Sequence, residues 1–151
     1  AHSRDEARLT LTNVADKPGM LARIFEPLAE ANINVDMIVQ AASDDGKTVD
    51  VTFTIPRGDI VKTTEVLKAN QKNIAYNELQ TSTDVAKISV VGIGMRSHAG
   101  VGVMMFKALA EKGVNIQVVS TSEIKISVLI EEAYTELALR TLHTVYGLDA
   151  A

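Results

Sequence analysis

Two short turns carry residue types suited to holding a small zwitterion. Asp16-Lys17-Pro18-Gly19 and Ser97-His98-Ala99-Gly100 each stand directly before an apolar stretch with helical spacing. A helix that opens at such a turn presents unpaired backbone N–H groups and a partial positive charge, which suit a carboxylate. Asp16 suits the ammonium of the same ligand. It also has an ordinary alternative use as the helix N-cap. A constant offset of 81 residues separates Gly19 from Gly100, Phe25 from Phe106 and Asn34 from Asn115. A duplication of this size predicts two copies of one small α/β module.

Asn34 and Asn115 stand at the same place in the two copies. They could offer hydrogen-bonding groups to a ligand across an interface, or simply close the helix–strand turn, since asparagine tolerates unusual φ. Gln40 and Thr121 correspond at the far end of the strand that follows. Each carries a neutral group able to read a ligand side chain; a solvated strand edge is the plainer reading.

The elements that must position these residues follow from periodicity. Leu9 and Leu11 alternate with Thr10 and Thr12 as a short strand, and the Asp16–Gly19 turn ends it. Leu21, Ile24, Phe25 and Leu28 share one face of a helix over about Met20 to Ala31, with Pro27 expected to bend it or to mark a local irregularity. Ile33 to Gln40 alternates as a strand, Asp44-Asp45-Gly46-Lys47 forms a hairpin, and Val49 to Ile55 returns. A helix through Ile60, Thr64 and Leu67 and a fourth strand over Ile74 to Leu79 complete a βαββαβ unit.

The second unit opens near Lys87. A helix through Val103, Phe106 and Leu109, a strand over Val114 to Val119, a hairpin near Ser122-Glu123 and a strand from Ile124 to Ile130 follow. The last helix carries Tyr134, Ala138, Leu142 and Val145. This unit is βαββα and lacks its last strand. That strand is expected from outside its own segment, with Ala1 to Ser3 as its end, unless a partner covers the edge. The boundaries are 1–81 for the first domain and 82–151 for the second. The fold class is α+β. The chain begins at Ala1, which reads as a fragment or a processed subunit.

Composition narrows the function. The 151 residues are 46% hydrophobic and 23% charged, with a net charge of −4, which disfavours a nucleic-acid partner. Aromatics are 4%, so base-stacking platforms are not expected. With no cysteine, disulfides and thiol chemistry are excluded, which fits a cytoplasmic protein. His2, His98 and His143 are too scattered for a zinc site, and no metal or cofactor is expected. No stretch is long and apolar enough for a membrane helix. Gly92-Ile93-Gly94-Met95-Arg96-Ser97 approaches a dinucleotide loop but lacks the last glycine and a following acidic residue at the right distance. Met104-Met105 reads as helix packing. No catalytic constellation is present.

Two βαββαβ units with a D-x-P-G turn followed by "NINVDMIVQ" resemble tandem ACT domains, a ferredoxin-like fold. "KISVVGIGMRSHAGV", "GVNIQVVSTSEIKISVLI" and "ALRTLHTVYGL" resemble the C-terminal regulatory part, or small regulatory subunit, of aspartate kinase. The resemblance runs from about Arg4 to Leu148. It implies a chain that binds threonine, and often lysine, and so feedback-inhibits the kinase that phosphorylates the aspartate side-chain carboxylate. It also implies a homodimer through the ACT domains and a kinase catalytic domain or large subunit as partner. No catalytic residue is then expected in this chain.

Carried over by position, the resemblance implies one effector pocket from Asp16, Gly19, Met20 and Gln40, closed by Asn115 and Ile116 of a second copy. The related pocket takes Ser97, His98, Gly100, Val101 and Thr121, closed by Asn34 and Val35. There Ser97 replaces Asp16 and Ala99 replaces Pro18. The lost carboxylate leaves that pocket weaker, empty or tuned to another ligand such as lysine, with Glu123 a candidate for its ammonium. The competing readings are a stand-alone ACT amino-acid sensor and a pair of ligand-free association modules.

Overall fold

The computed structural model describes residues 2–91, 98–122 and 124–146. They fall into two compact units, Asp5–Thr83 and a second made of Ala1–Arg4 with Asp84–Ala151. Each unit has its own apolar core.

In the first unit, β1 (His2–Ala15) puts Leu9 and Leu11 into the core, with Thr10 and Thr12 on the other face. Its register against β3 (Thr48–Ile55) slips between Leu11 and Val14. The extra residue lets Val14 return to the core after Leu11, where strict alternation would have turned it out. Asn13 sits in this bulge at φ 58°. Its amide donates to the Asp50 carboxylate at 3.1 Å, and the Ser43 hydroxyl donates to the same oxygen at 2.6 Å. The bulge therefore has its own polar support just before the chain enters the Asp16 turn.

α1 (Met20–Glu30) buries Met20, Ile24 and Leu28 at four-residue steps. Pro27 lies inside this helix. Phe25 meets Phe53 edge-to-face, with ring centroids 5.2 Å apart. The helix ends with the Asn32 amide on the Ala29 carbonyl and the Ile33 amide on the Leu28 carbonyl. This is the Schellman pattern, with Asn32 left-handed at φ 61°. The second unit repeats it at Gly113 (φ 73°), with the Gly113 amide on Ala110 and the Val114 amide on Leu109. The unusual φ thus falls at Asn32 and Gly113, two residues before the asparagines that sequence singled out.

β2 is shorter than its alternation suggested and spans Ile38–Ala42. Before it, the Met37 amide donates to the Thr54 hydroxyl at 3.1 Å, while Asp36 and Thr54 still make backbone bonds across the gap. The Thr54 side chain thus interrupts the regular ladder. In the β2–β3 hairpin, Gly46 is left-handed (φ 69°), and Asp45 accepts the amides of Lys47 and Thr48. α2 (Ile60–Ala69) buries Thr63 and Leu67, and the short α3 (Gln71–Ile74) follows.

The expected strand over Ile74 to Leu79 is not present as such. Ile74 closes α3, and β4 runs without interruption from Leu79 to Val91. It thereby joins two strands that sequence had separated. Residues 80–84 are polar throughout, so no apolar alternation marks the strand, and its backbone pairing defines it instead.

In the second unit, α4 (His98–Glu111) packs Met105 and Leu109 inward. β5 (Val118–Thr121), β6 (Lys125–Glu131) and α5 (Thr135–Val145) follow. α5 buries Thr135, Ala138 and Leu142; the expected inward residues Tyr134 and Val145 are instead exposed. The strand order is β2-β3-β1-β4 in the first unit and β5-β6-β4-β1 in the second. The pairings with β3 and β6 are antiparallel. The two orders are identical once each unit's strands are numbered from its own start. In the second unit the fourth place is taken by the beginning of β1, from outside that unit's main segment.

Candidate functional site

The Asp16 turn is shaped by two constraints. The Lys17 amide folds back onto the Ala15 carbonyl at 3.1 Å, and Gly19 takes φ 89°, a conformation costly for other residues. Gly19 is the N-cap of α1, and no side chain caps the helix. Asp16 therefore does not perform the capping role that was its ordinary alternative. Arg23 N–H reaches the Gly19 carbonyl, but the amides of Leu21 and Ala22 find no acceptor among the described residues. Their direction and the helix dipole leave a small electropositive spot at the surface.

This spot opens into a cavity of about 330 Å³, lined by residues 15–22 and by Gln40. β2 brings Gln40 to the start of α1, so Asp16, Gly19, Met20 and Gln40 share one wall. Asp16, Gly19 and Gln40 are exposed; Met20 turns its side chain into the core, which leaves its backbone facing the turn. Sequence reasoning missed Lys17, Leu21 and Ala22 in the lining. The two free amides follow from the helix start itself, and Lys17 adds a cation at the rim.

The remaining expected residues are placed as follows. Asn34 is exposed between α1 and β2, and Val35 packs against the first core. Asn115 is exposed in the matching loop of the second unit, and Ile116 packs against the second core. Gly100 and Val101 lie in the first turn of α4, and Thr121 is the exposed last residue of β5. His98 opens α4. Ser97, Glu123 and the Gly92–Arg96 loop lie outside the described residues. Among the described residues, no group of three His, Cys, Asp or Glu side chains is gathered to hold a metal, and no helix is long and apolar enough to cross a membrane.

The ACT domain family matches twice, over residues 8–71 and 88–146. A solved structure of aspartokinase alpha and beta subunits superposes with a TM-score of 0.90 at 47% identity, covering 97% of this chain and 96% of that one. The regulatory subunit of aspartate kinase from Thermus thermophilus superposes with a TM-score of 0.89 at 36% identity, covering 97% of this chain and 95% of that chain. The chain belongs to the aspartokinase regulatory family. An aspartokinase of Pseudomonas aeruginosa is 53% identical over 150 residues, which are 99% of this chain. One of Helicobacter pylori is 51% identical over 152 residues. This chain spans about 36% of the length of either relative. It is a tandem-ACT regulatory region of the aspartokinase type.

Proposed function

We propose that this chain senses amino acids for an aspartokinase, with threonine at the Asp16 pocket and lysine as the candidate at the related pocket. The uncapped start of α1 carries the reading: two free amides, an unengaged carboxylate and a neutral amide side chain line one small cavity. A threonine carboxylate would take the Leu21 and Ala22 amides, its ammonium Asp16, and its hydroxyl Gln40. A site built to pair a hydroxyl discriminates strongly against analogues that lack it.

The cavity is open on one side. Asn115 and Ile116 of a second copy would close it, and Asn34 and Val35 would close the related pocket around Gly100, Val101 and Thr121. β2 and β5 end the strand orders of their units and expose Ile38 and Val119, which suits pairing of copies edge to edge. An effector bridging two copies stabilises one arrangement of the dimer over another. Coupling of about 1–3 kcal/mol suffices for useful feedback inhibition. The ATP-dependent transfer to the aspartate side-chain carboxylate belongs, in this proposal, to a kinase domain or large subunit paired with this region.

Calorimetric titration with threonine, then lysine, then both, tests the proposal. Saturable heat with a stoichiometry near one or two per chain supports it. No heat from a folded dimer would favour a ligand-free association module.

A further inference from the structure

Two walls of the Asp16 cavity come from strands that are not neighbours. The turn over Asp16 to Gly19 follows β1, and Gln40 lies on β2. β3 separates these strands in the sheet order. One side chain on β3 reaches both. The same Oδ1 atom of Asp50 accepts the Asn13 amide of β1 at 3.1 Å and the hydroxyl of Ser43, just past the end of β2, at 2.6 Å. Asn13 stands three residues before Asp16, and Ser43 three residues after Gln40. Ser43 is buried, and both bonds end on a carboxylate, a strong acceptor.

Asp50 itself does not line the cavity. It pairs with Ala41, whereas its neighbour Val51, in the core, pairs with Gln40. Successive residues of a strand face opposite ways, so Asp50 acts from the far face of the sheet. The second unit carries the opposite charge at this place. Thr121 pairs with Ile126 as Gln40 pairs with Val51, so Lys125 stands where Asp50 stands. An ammonium accepts no hydrogen bond.

We propose that Asp50 is the positioning residue of the Asp16 pocket. It holds the turn that takes an amino acid's carboxylate and ammonium in register with Gln40, which takes the hydroxyl. The inference rests on the effector reading above for those roles. Fixing both walls before the ligand arrives lowers the ordering cost of binding. It also lets the pocket select for the hydroxyl, because a polar pair discriminates only when its geometry is met.

The test compares threonine with valine, which carries a methyl in place of the hydroxyl, by calorimetric titration of the whole chain. Ser43→Ala cuts only the tie to β2. Threonine binding should weaken about tenfold while valine binding stays unchanged. Asp50→Ala cuts both ties and should weaken both amino acids. Asp50→Asn keeps an Oδ1 acceptor and should restore the preference for threonine. Tyr76→Phe is the control. It removes a buried hydroxyl bond to the Leu67 carbonyl in the same core and should lower stability without altering the preference. Ser43→Ala leaves the Asn13 tie in place and decides the matter even if Asp50→Ala does not fold. Unchanged threonine affinity in Ser43→Ala, or an equal loss in Tyr76→Phe, would overturn the proposal. Threonine that fails to bind even the unmodified chain would sink the effector reading and this proposal with it.

Discussion

Asn32 and Gly113 occupy the same left-handed position 81 residues apart, with φ of 61° and 73°. Each ends the first helix of its unit in the same pair of backbone bonds. Asparagine and glycine reach this conformation at different cost, because only glycine lacks the Cβ that crowds the backbone. Asn32→Gly should therefore raise stability by a few tenths to about 1 kcal/mol. Gly113→Ala should lower it by about 1 kcal/mol. A Cβ at Gly113 would meet no other atom within 4 Å, so that loss is purely conformational. Urea unfolding of both variants measures the difference; a neutral Gly113→Ala would contradict the account.

Thr63 is fully buried in α2, and its hydroxyl has no partner among the described residues. Ala138 stands at the matching place in α5, three residues after the helix start in each case. An unpaired buried hydroxyl costs about 1–3 kcal/mol, whereas a methyl of the same shape costs little. Thr63→Val should raise the melting temperature by several degrees, corresponding to about 1 kcal/mol. A lower melting temperature would mean the hydroxyl is satisfied.

Asp16 separates binding from folding. It is exposed and caps nothing, so Asp16→Asn should leave the unfolding midpoint unchanged. The same change should weaken threonine binding by roughly ten- to a hundredfold, the effect of losing a charged hydrogen-bond partner. Unaltered threonine affinity would remove Asp16 from the site.

Asp45 predicts behaviour in acid. The Lys47 and Thr48 amides, with the Thr48 and Asn13 side chains, hold its carboxyl below the ordinary value of 3.8. A folded pKa below the unfolded one gives stability that is present above 3.8 and lost as pH falls through the folded value. Asp45→Ala should flatten the acid limb of a stability–pH curve below about pH 5. The alkaline limb has the opposite origin. Burial raises the hydroxyls of Tyr76 and Tyr146 above 10.0, so their contribution is present below that pH and fades as pH rises through the folded values.

The sequence by itself determined the parts that depend on near neighbours. The 81-residue repeat, the Asp16–Gly19 turn, the α1 face through Ile24 and Leu28, the Gly46 hairpin and the alternation of Val51, Phe53 and Ile55 are all written within a few residues of one another. Local torsion and period set them. Tertiary structure decided the rest, because the deciding partner lies far along the chain. Residues 80–84 are polar throughout, carry no apolar alternation, and lie within β4. The bulge at Asn13 depends on Asp50, and the short β2 depends on the Thr54 hydroxyl. The fourth strand of the second unit comes from the start of β1. Gln40 reached Asp16 only when β2 folded back beside α1. Tyr146 carries no such local signal. Its contact with Val101 spans 45 residues and follows from how α5 lies against α4, which no local pattern encodes.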